Sequence, residues 1–192
     1  VEVAPEDAPD LIRRLHQRKT DLFIELIESG TLPLRPGVRR VMEEAERLGI
    51  MLGICTTSNE RSARAISSGL LAGIPFRFVL AGDVVPAKKP DPAIYRLASQ
   101  RSGLRPEQCV VFEDSHVGAV AAKAAGMYVV ATTTRYTENE DLSMADVIVD
   151  CLGEVDGPRA NVRPGARSPV LSDGCVHARD VLEWFCREET NP

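Results

Sequence analysis

Short runs of consecutive apolar residues, each followed by a segment with helical periodicity, occupy most of the chain between residues 50 and 150. The runs at 50–55 and 127–131 are apolar at almost every position, which is typical of strands covered by helices on both faces. Strands that alternate with helices are joined by right-handed crossovers and build a mainly parallel sheet. The pattern therefore predicts an α/β fold with a doubly wound sheet.

The positions of glycine and proline set the expected limits of the individual elements. We predict strands at 50–55, 76–80, 108–112, 127–131 and 147–149. We predict helices at 10–29, 38–48, 60–68, 92–102, 117–125 and 178–188. Residues 152–174 contain four glycines and three prolines, which is typical of a loop or linker. The predicted units are a helical segment over 1–33, a core over 34–151, this loop, and a C-terminal helical segment over 175–192 that packs on the core.

Charge and composition narrow the classes of partner. The net charge of −5 disfavours general binding to nucleic acids or anionic membranes. No apolar run approaches the roughly 20 residues that span a bilayer, and residues 1–11 lack the basic and apolar parts of a signal peptide. We therefore expect no nucleic-acid partner and no membrane partner. We further expect a monomer whose partner is a small molecule. The expected location is cytoplasmic, or a plastid if a transit segment precedes residue 1.

The five cysteines are widely spaced, and no two of them form a C-x-x-C pair. This spacing disfavours a structural zinc site. The odd number also fits poorly with a disulfide framework, so we expect reduced thiols.

Hydroxyl side chains follow the predicted strand at 50–55. Thr56, Thr57, Ser58 and Asn59 lead into a predicted helix. Hydroxyls and free N–H groups at a helix N-terminus are suited to binding phosphate. The alternative is an ordinary helix cap, since serine and asparagine are common caps.

A pair of lysines precedes the predicted helix at 92–102. The residue before a proline is held extended, so Lys89, which precedes Pro90, projects from a rigid turn. A fixed ammonium there is suited to neutralising a phosphate or a carboxylate. The alternative is that Lys88 and Lys89 are simply solvated.

Two adjacent acids, Glu113 and Asp114, follow the buried strand at 108–112. Carboxylates next to a buried strand are costly unless a positive charge compensates them. Mg²⁺ does so through carboxylates, waters and phosphate oxygens. The alternative is that Asp114 caps the next helix while Glu113 points to solvent.

Ligands of open parallel sheets bind outside the carboxyl ends of the strands. Hydroxyls, a lysine and paired acids follow three successive predicted strands, so we expect them to share one site. Such a site would bind a phosphoryl group with the help of Mg²⁺.

The segments TTSN, KKPDP and FEDSxxG resemble motifs II, III and IV of the haloacid dehalogenase-like (HAD) hydrolases. Four longer segments are similar to sequences of the CbbY-like branch, whose characterised members are sugar-bisphosphate phosphatases. They are LRPGV, CTTSNE, AGDVVPAKKPDPAIY and VVFEDSHVGAVAAKAAGM. The resemblance covers about residues 9–150. It implies a three-layer, Rossmann-like core with a mainly parallel sheet. It also implies that residues 1–33 are the remnant of an all-helical cap.

The resemblance also implies roles for individual residues. Thr56 and Lys89 would act on the transferring phosphoryl group, and Asp114 and Glu113 would bind the metal. The remaining implied contacts are to phosphate or substrate, from Thr57, Ser58 and Asn59 in the core and from Lys19 in the cap.

The family nucleophile is an aspartate in a D-x-D-G-T motif, and no D-x-D occurs in this sequence. In the family fold this aspartate ends a central strand that lies between the strands predicted here at 50–55 and 108–112. With that strand missing, their edges would face each other across about twice the usual 4.8 Å spacing. We therefore expect the chain alone to be inactive, and either weakly stable or with the gap closed in a way unlike the family.

The resemblance implies a Mg²⁺-dependent phosphatase that acts on a sugar phosphate, such as the pentulose bisphosphate xylulose 1,5-bisphosphate. One alternative is a phosphoglucomutase-like phosphoryl transferase. The other is a non-catalytic phosphate-binding protein that has lost the first motif.

Overall fold

A computed structural model gives the structure of residues 6–165 and 167–189. The helices are α1 (Ala8–Glu28), α2 (Val38–Arg47), α3 (Glu60–Ala65), α4 (Ala93–Ser102), α5 (His116–Ala124) and α6 (Ala178–Glu189). The strands are β1 (Leu52–Cys55), β2 (Phe76–Leu80), β3 (Val110–Glu113), β4 (Tyr128–Thr132) and β5 (Val147–Val149). A π-helical turn (Ile66–Leu70) follows α3, and a 3-10 turn (Pro106–Gln108) precedes β3. The predicted order of helices and strands is confirmed.

The strands form two parallel sheets rather than one. β1 pairs with β2, and β4 lies between β3 and β5. Within the described residues, β1 and β3 each have a single partner strand. The predicted α/β fold with parallel strands is confirmed, and its sheet is interrupted between β1 and β3.

Successive residues of β4 contact different layers of the molecule. Val129 and Ala131 pack in a core with residues of α4 and α5. Tyr128 and Val130 pack in a second core with residues of α2 and α6. Because helices cover both faces of the strand, almost every position of β4 is apolar. The result is a sheet between two helical layers.

Two predicted limits shift for local reasons. The strand predicted from residue 50 begins at Leu52, because the N–H of Ile50 donates back to the last turn of α2. The helix predicted over 60–68 changes to the π-helical turn before its predicted end. In that turn the Ser68 hydroxyl donates to the Arg64 carbonyl (2.6 Å), a contact that competes with the main-chain helix bond.

The described residues of 152–174 are irregular, yet they pack on the core. Ala160 is buried, and its N–H donates to the carbonyl of Gly174 (2.7 Å). Val162 forms an antiparallel bridge with Val149 of β5. This segment therefore covers the outer edge of the larger sheet.

The first helix, α1, lies outside the two cores and packs on α3 and the π-helical turn. Ile27 is buried there, whereas Ile12, Leu15, Leu22 and Leu26 are exposed. The assignment of residues 1–33 to a cap stays a prediction. No helix in the part of the chain described has the length and apolar character needed to cross a membrane.

Candidate functional site

Lys89 joins the carboxyl ends of β1 and β3. Its Nζ donates to the main-chain carbonyl of Cys55 (3.2 Å) and to the carboxylate of Glu113. The side chains of Lys89 and Glu113 are both 9% exposed. Lys88 instead reaches outward to Asp83 (3.1 Å). Lys89 is thus the lysine that lies at the predicted site.

Both carboxylate oxygens of Glu113 have protein partners. Oε1 accepts from Lys89 Nζ and from the Tyr95 hydroxyl. Oε2 accepts from the Asp114 N–H (3.3 Å) and the Ser115 hydroxyl (3.4 Å). Glu113 does not point to solvent, so the alternative weighed from sequence is wrong. The prediction that Glu113 binds a metal remains a prediction, and a cation there would compete with Lys89.

Asp114 occupies the mouth of the site. The protein around its carboxylate removes enough water to raise the pKa of Asp114, and the neighbouring charge of Glu113 raises it further. Arg35 and Lys89 act in the opposite direction. A carboxylate held in this way is stabilised by any added positive charge.

The donor chemistry fits Mg²⁺ in part. No cluster of three or more histidine, cysteine or acidic side chains within residues 6–165 and 167–189 is arranged to hold a metal ion. Mg²⁺, however, is commonly bound through one or two carboxylates together with phosphate oxygens and waters. Asp114 offers one such carboxylate, with the remaining positions left to substrate and water.

The loop formed by residues 56–59, which we call the hydroxyl loop, begins directly after Cys55, whose carbonyl accepts from Lys89. Thr56 directly follows Cys55, and its N–H continues the ladder to Leu80 of β2 (2.9 Å). The Thr56 hydroxyl accepts from the Ser58 N–H (3.1 Å). Thr57 and Ser58 are exposed at the rim. Thr56 and Asp114 therefore directly follow Cys55 and Glu113, the two residues that Lys89 contacts, and their meeting at one phosphoryl group stays a prediction.

Asn59 is engaged as a helix cap. Its Oδ1 accepts from the N–H groups of Arg61 (2.8 Å) and Ser62 (3.2 Å), the first donors of α3. This is the capping alternative raised by the sequence. The Asn59 side chain and these two N–H groups are thus already paired, and a substrate contact by Asn59 stays a prediction.

Lys19 is an exposed residue in the middle of α1. Two residues further along α1, Asp21 pairs with Arg61 of α3 (3.0 Å), the helix that follows Thr56–Asn59. The structure does not join Lys19 to the site around Lys89, and its contact with a substrate stays a prediction.

Two residues of the site were missed from sequence. Arg35 donates to the Thr132 hydroxyl (3.0 Å) and to the carbonyls of Thr133 and Asp150 (both 2.6 Å), so it ties together the ends of β4 and β5 beside Asp114. Tyr95 reaches Glu113 from the first turn of α4. Neither residue directly follows a strand, so the rule that ligands bind after strands does not indicate them. The sequence signals for them are the family-like segments LRPGV, which contains Arg35, and KPDPAIY, which contains Tyr95.

A cavity of about 560 Å³ separates β1 from β3. Its side walls are the two strands, from Leu52 to Cys55 and from Val110 to Glu113. Helices α2 and α6 line one face, and α4 lines the other. Glu113 and Asp114 line the cavity at the carboxyl end of β3. We refer to this space as the slot; it lies where the sequence predicts a missing strand.

Cys55 borders the slot but does not supply a nucleophile. Burial raises the pKa of its thiol to about 11. A thiol with such a pKa is protonated at neutral pH, and the thiol form is unreactive.

The fold and this site define the class of protein. The family profile of the haloacid dehalogenase-like hydrolases matches residues 2–126, and the chain belongs to that family. Within it, the chain belongs to the CbbY-like branch.

The individual relatives agree with this branch. A CBBY-like protein of Arabidopsis thaliana is 48% identical over 160 residues, which cover 80% of this chain and 50% of that protein. A phosphorylated carbohydrates phosphatase of Thermotoga maritima is 37% identical over 115 residues, 60% of this chain and 51% of that protein. A crystal structure of the D10N mutant of CbbY from Rhodobacter sphaeroides in complex with xylulose-(1,5)bisphosphate superposes with a TM-score of 0.69. The two sequences are 37% identical, and the match covers 76% of this chain and 66% of that chain. The chain thus spans about half to two thirds of the length of these proteins.

Proposed function

We propose that this chain is the phosphate-binding part of a Mg²⁺-dependent phosphatase that hydrolyses a sugar phosphate. The observation that carries the proposal is the position of Lys89. Its ammonium links the ends of β1 and β3, with Thr56 on one side and Asp114 on the other. A phosphoryl group placed there would meet a cation, a hydroxyl and a carboxylate suited to holding Mg²⁺.

Each group would have a distinct task. The Lys89 ammonium would offset charge on the phosphoryl oxygens, and Thr56 would orient them through its hydroxyl. Asp114 would hold Mg²⁺, which supplies further positive charge when bound. The raised pKa of Asp114 supports this assignment, because Mg²⁺ would supply the positive charge that the isolated site lacks.

The attacking aspartate would come from polypeptide outside residues 1–192. The sequence contains no D-x-D motif, and the slot has room for one extended segment between β1 and β3. A strand lying parallel to β1 and β3 in the slot would end beside Lys89, where a nucleophile is needed. Residues 1–192 alone would bind phosphate without turnover.

The preferred substrate class is a pentulose bisphosphate such as xylulose 1,5-bisphosphate. The R. sphaeroides relative was crystallised with that compound, and the T. maritima relative is named for phosphorylated carbohydrates. Both similarities support a sugar phosphate as the substrate here.

The test is phosphate release by a longer form of the protein in which a segment with a D-x-D-G-T motif is joined before residue 1. We expect release of inorganic phosphate from xylulose 1,5-bisphosphate, loss of release with a chelator, and none from residues 1–192 alone. Lys89→Ala should lower turnover at least 100-fold, whereas Lys88→Ala should not. A rearranged sugar phosphate without free phosphate would identify a mutase. Phosphate binding without any reaction by the longer form would identify a non-catalytic protein.

A further inference from the structure

Tyr95 contacts both members of the buried Lys89–Glu113 pair. Its hydroxyl donates to Glu113 Oε1, and its ring lies beneath Lys89, with Nζ 4.8 Å from the ring centroid. Tyr95 is 3% exposed. One rigid side chain therefore touches the carboxylate at its tip and the ammonium on its face.

A lysine at this point needs such support because its side chain is long and flexible. An ammonium has three donors, and two of those of Lys89 are directed to Glu113 and the Cys55 carbonyl. The aromatic face attracts the charge through its quadrupole without offering an oxygen acceptor. The third donor is thereby left for a ligand at the mouth of the site.

The Tyr95 hydroxyl limits how strongly Glu113 neutralises the lysine. A carboxylate oxygen that accepts two charge-assisted hydrogen bonds shares its charge between them. In this bond the phenol is the donor and the carboxylate the acceptor.

We propose that Tyr95 is a positioning residue that holds the Lys89 ammonium in place for the phosphoryl group. This inference rests on the proposed function in that Lys89 is taken to meet phosphate. It adds a residue six positions after Lys89 in the sequence. The first turn of α4 carries this residue back beneath the lysine.

The test uses residues 1–192 with Tyr95→Phe, which removes only the hydroxyl, and Tyr95→Leu, which also removes the aromatic face. Tyr128→Phe is the matched control, because Tyr128 is a buried tyrosine in the other core. Two readouts are needed: the rate of reductive methylation at Lys89, followed by mass spectrometry, and the Kd for inorganic phosphate, followed by titration calorimetry. Circular dichroism checks that each variant is folded.

We expect Tyr95→Phe to change the methylation rate of Lys89 and to weaken phosphate binding about tenfold, with a larger effect for Tyr95→Leu and none for Tyr128→Phe. A folded Tyr95→Phe protein with an unchanged methylation rate would overturn the inference, whatever its melting temperature. Absence of phosphate binding by the unmodified chain would instead contradict the proposed function. In that case the methylation rates would still decide the role of Tyr95.

Discussion

Among single residues, Gly118 matters most to the packing of the site, because it lies close to the Glu113 carboxylate. Gly118 in the first turn of α5 lies against the Glu113 carboxylate, and a Cβ built on it would be 2.0 Å from Glu113 Oε2. Because Lys89 and Tyr95 hold that carboxylate, it has little freedom to move aside. Glycine at this position therefore permits the buried ion pair to form.

Gly118→Ala should lower stability, although alanine is favoured over glycine within a helix by about 1 kcal/mol. The collision should displace Glu113 and cost about 1–3 kcal/mol in the free energy of unfolding. Denaturant titration measures the change. In a Glu113→Ala background the same substitution should lose its cost. A stabilised single variant would contradict the prediction.

His177 makes stability depend on pH near neutrality. Hydrogen bonds to Asp173 (2.9 Å) and Glu44 (3.0 Å) raise the pKa of His177 above its usual value. Its folded-state pKa lies above its unfolded-state pKa of about 6.5. The stabilisation is therefore complete below about pH 6.5 and is lost as the pH rises through the folded-state value.

The free energy of unfolding should accordingly fall as the pH rises above about 6.5, and His177→Gln should flatten this part of the profile. His16→Gln is the control, since His16 is exposed on α1. Equal profiles for the unmodified chain and His177→Gln would show that His177 does not govern this range.

At the scale of elements, Arg40 fastens α2 to the segment that leads into α6. Its guanidinium donates to the carbonyls of Leu152 (2.9 Å), Gly153 (2.9 Å) and Val176 (3.0 Å). It also pairs with Glu44 on the next turn (2.8 Å). One side chain thus contacts three main-chain carbonyls that lie outside any helix or strand, and these contacts hold the irregular segment on the core.

Arg40→Met should lower the free energy of unfolding by about 3 kcal/mol, because it removes the donor to the Gly153 and Val176 carbonyls and the charge that pairs with Glu44. Arg40→Lys should recover little, since an ammonium cannot reproduce the planar fork. Arg47→Met, at an exposed position of the same helix, is the control. A loss no greater than that of the control would refute the role assigned to Arg40.

Most elements were predictable because local patterns report burial. Continuous apolar runs gave the strands, since both faces of β4 are covered. The π-helical turn after α3 was not predictable from the apolar period. At this turn the hydroxyls of Ser67 and Ser68 both donate to the Arg64 carbonyl and compete with its main-chain helix bond.

At the scale of the whole molecule, the slot divides the sheet into two parts. β4 is paired on both sides, whereas β1 and β3 each have one described partner strand. The larger sheet, with α5 and the segment after β5, holds most of the fully buried side chains. We expect stability to be unevenly distributed, with the slot edges opening first.

Hydrogen exchange of residues 1–192 should show this unevenness. Amides of β1 and β3 should exchange faster than those of β4, because one edge of each outer strand faces the slot. Mass spectrometry of peptic fragments measures the difference. Adding a polypeptide segment that fills the slot should slow the hydrogen exchange of the β1 and β3 amides. The exchange rate of the β4 amides should stay unchanged. Equal protection of all three strands in the isolated chain would contradict an open slot.

Local sequence patterns were enough to predict the order of strands and helices, and they led us to expect Thr56, Lys89 and Asp114 at one edge of the sheet. Burial on both faces leaves a local apolar pattern, and parallel strands bring their carboxyl ends together. The folded chain was needed to show that Glu113 pairs with Lys89 and Tyr95 and that Arg35 reaches the ends of β4 and β5. Tyr95 and Glu113 lie 18 positions apart in the chain, and Arg35 and Asp150 lie 115 positions apart. No local pattern encodes which of several polar neighbours a folded side chain will meet.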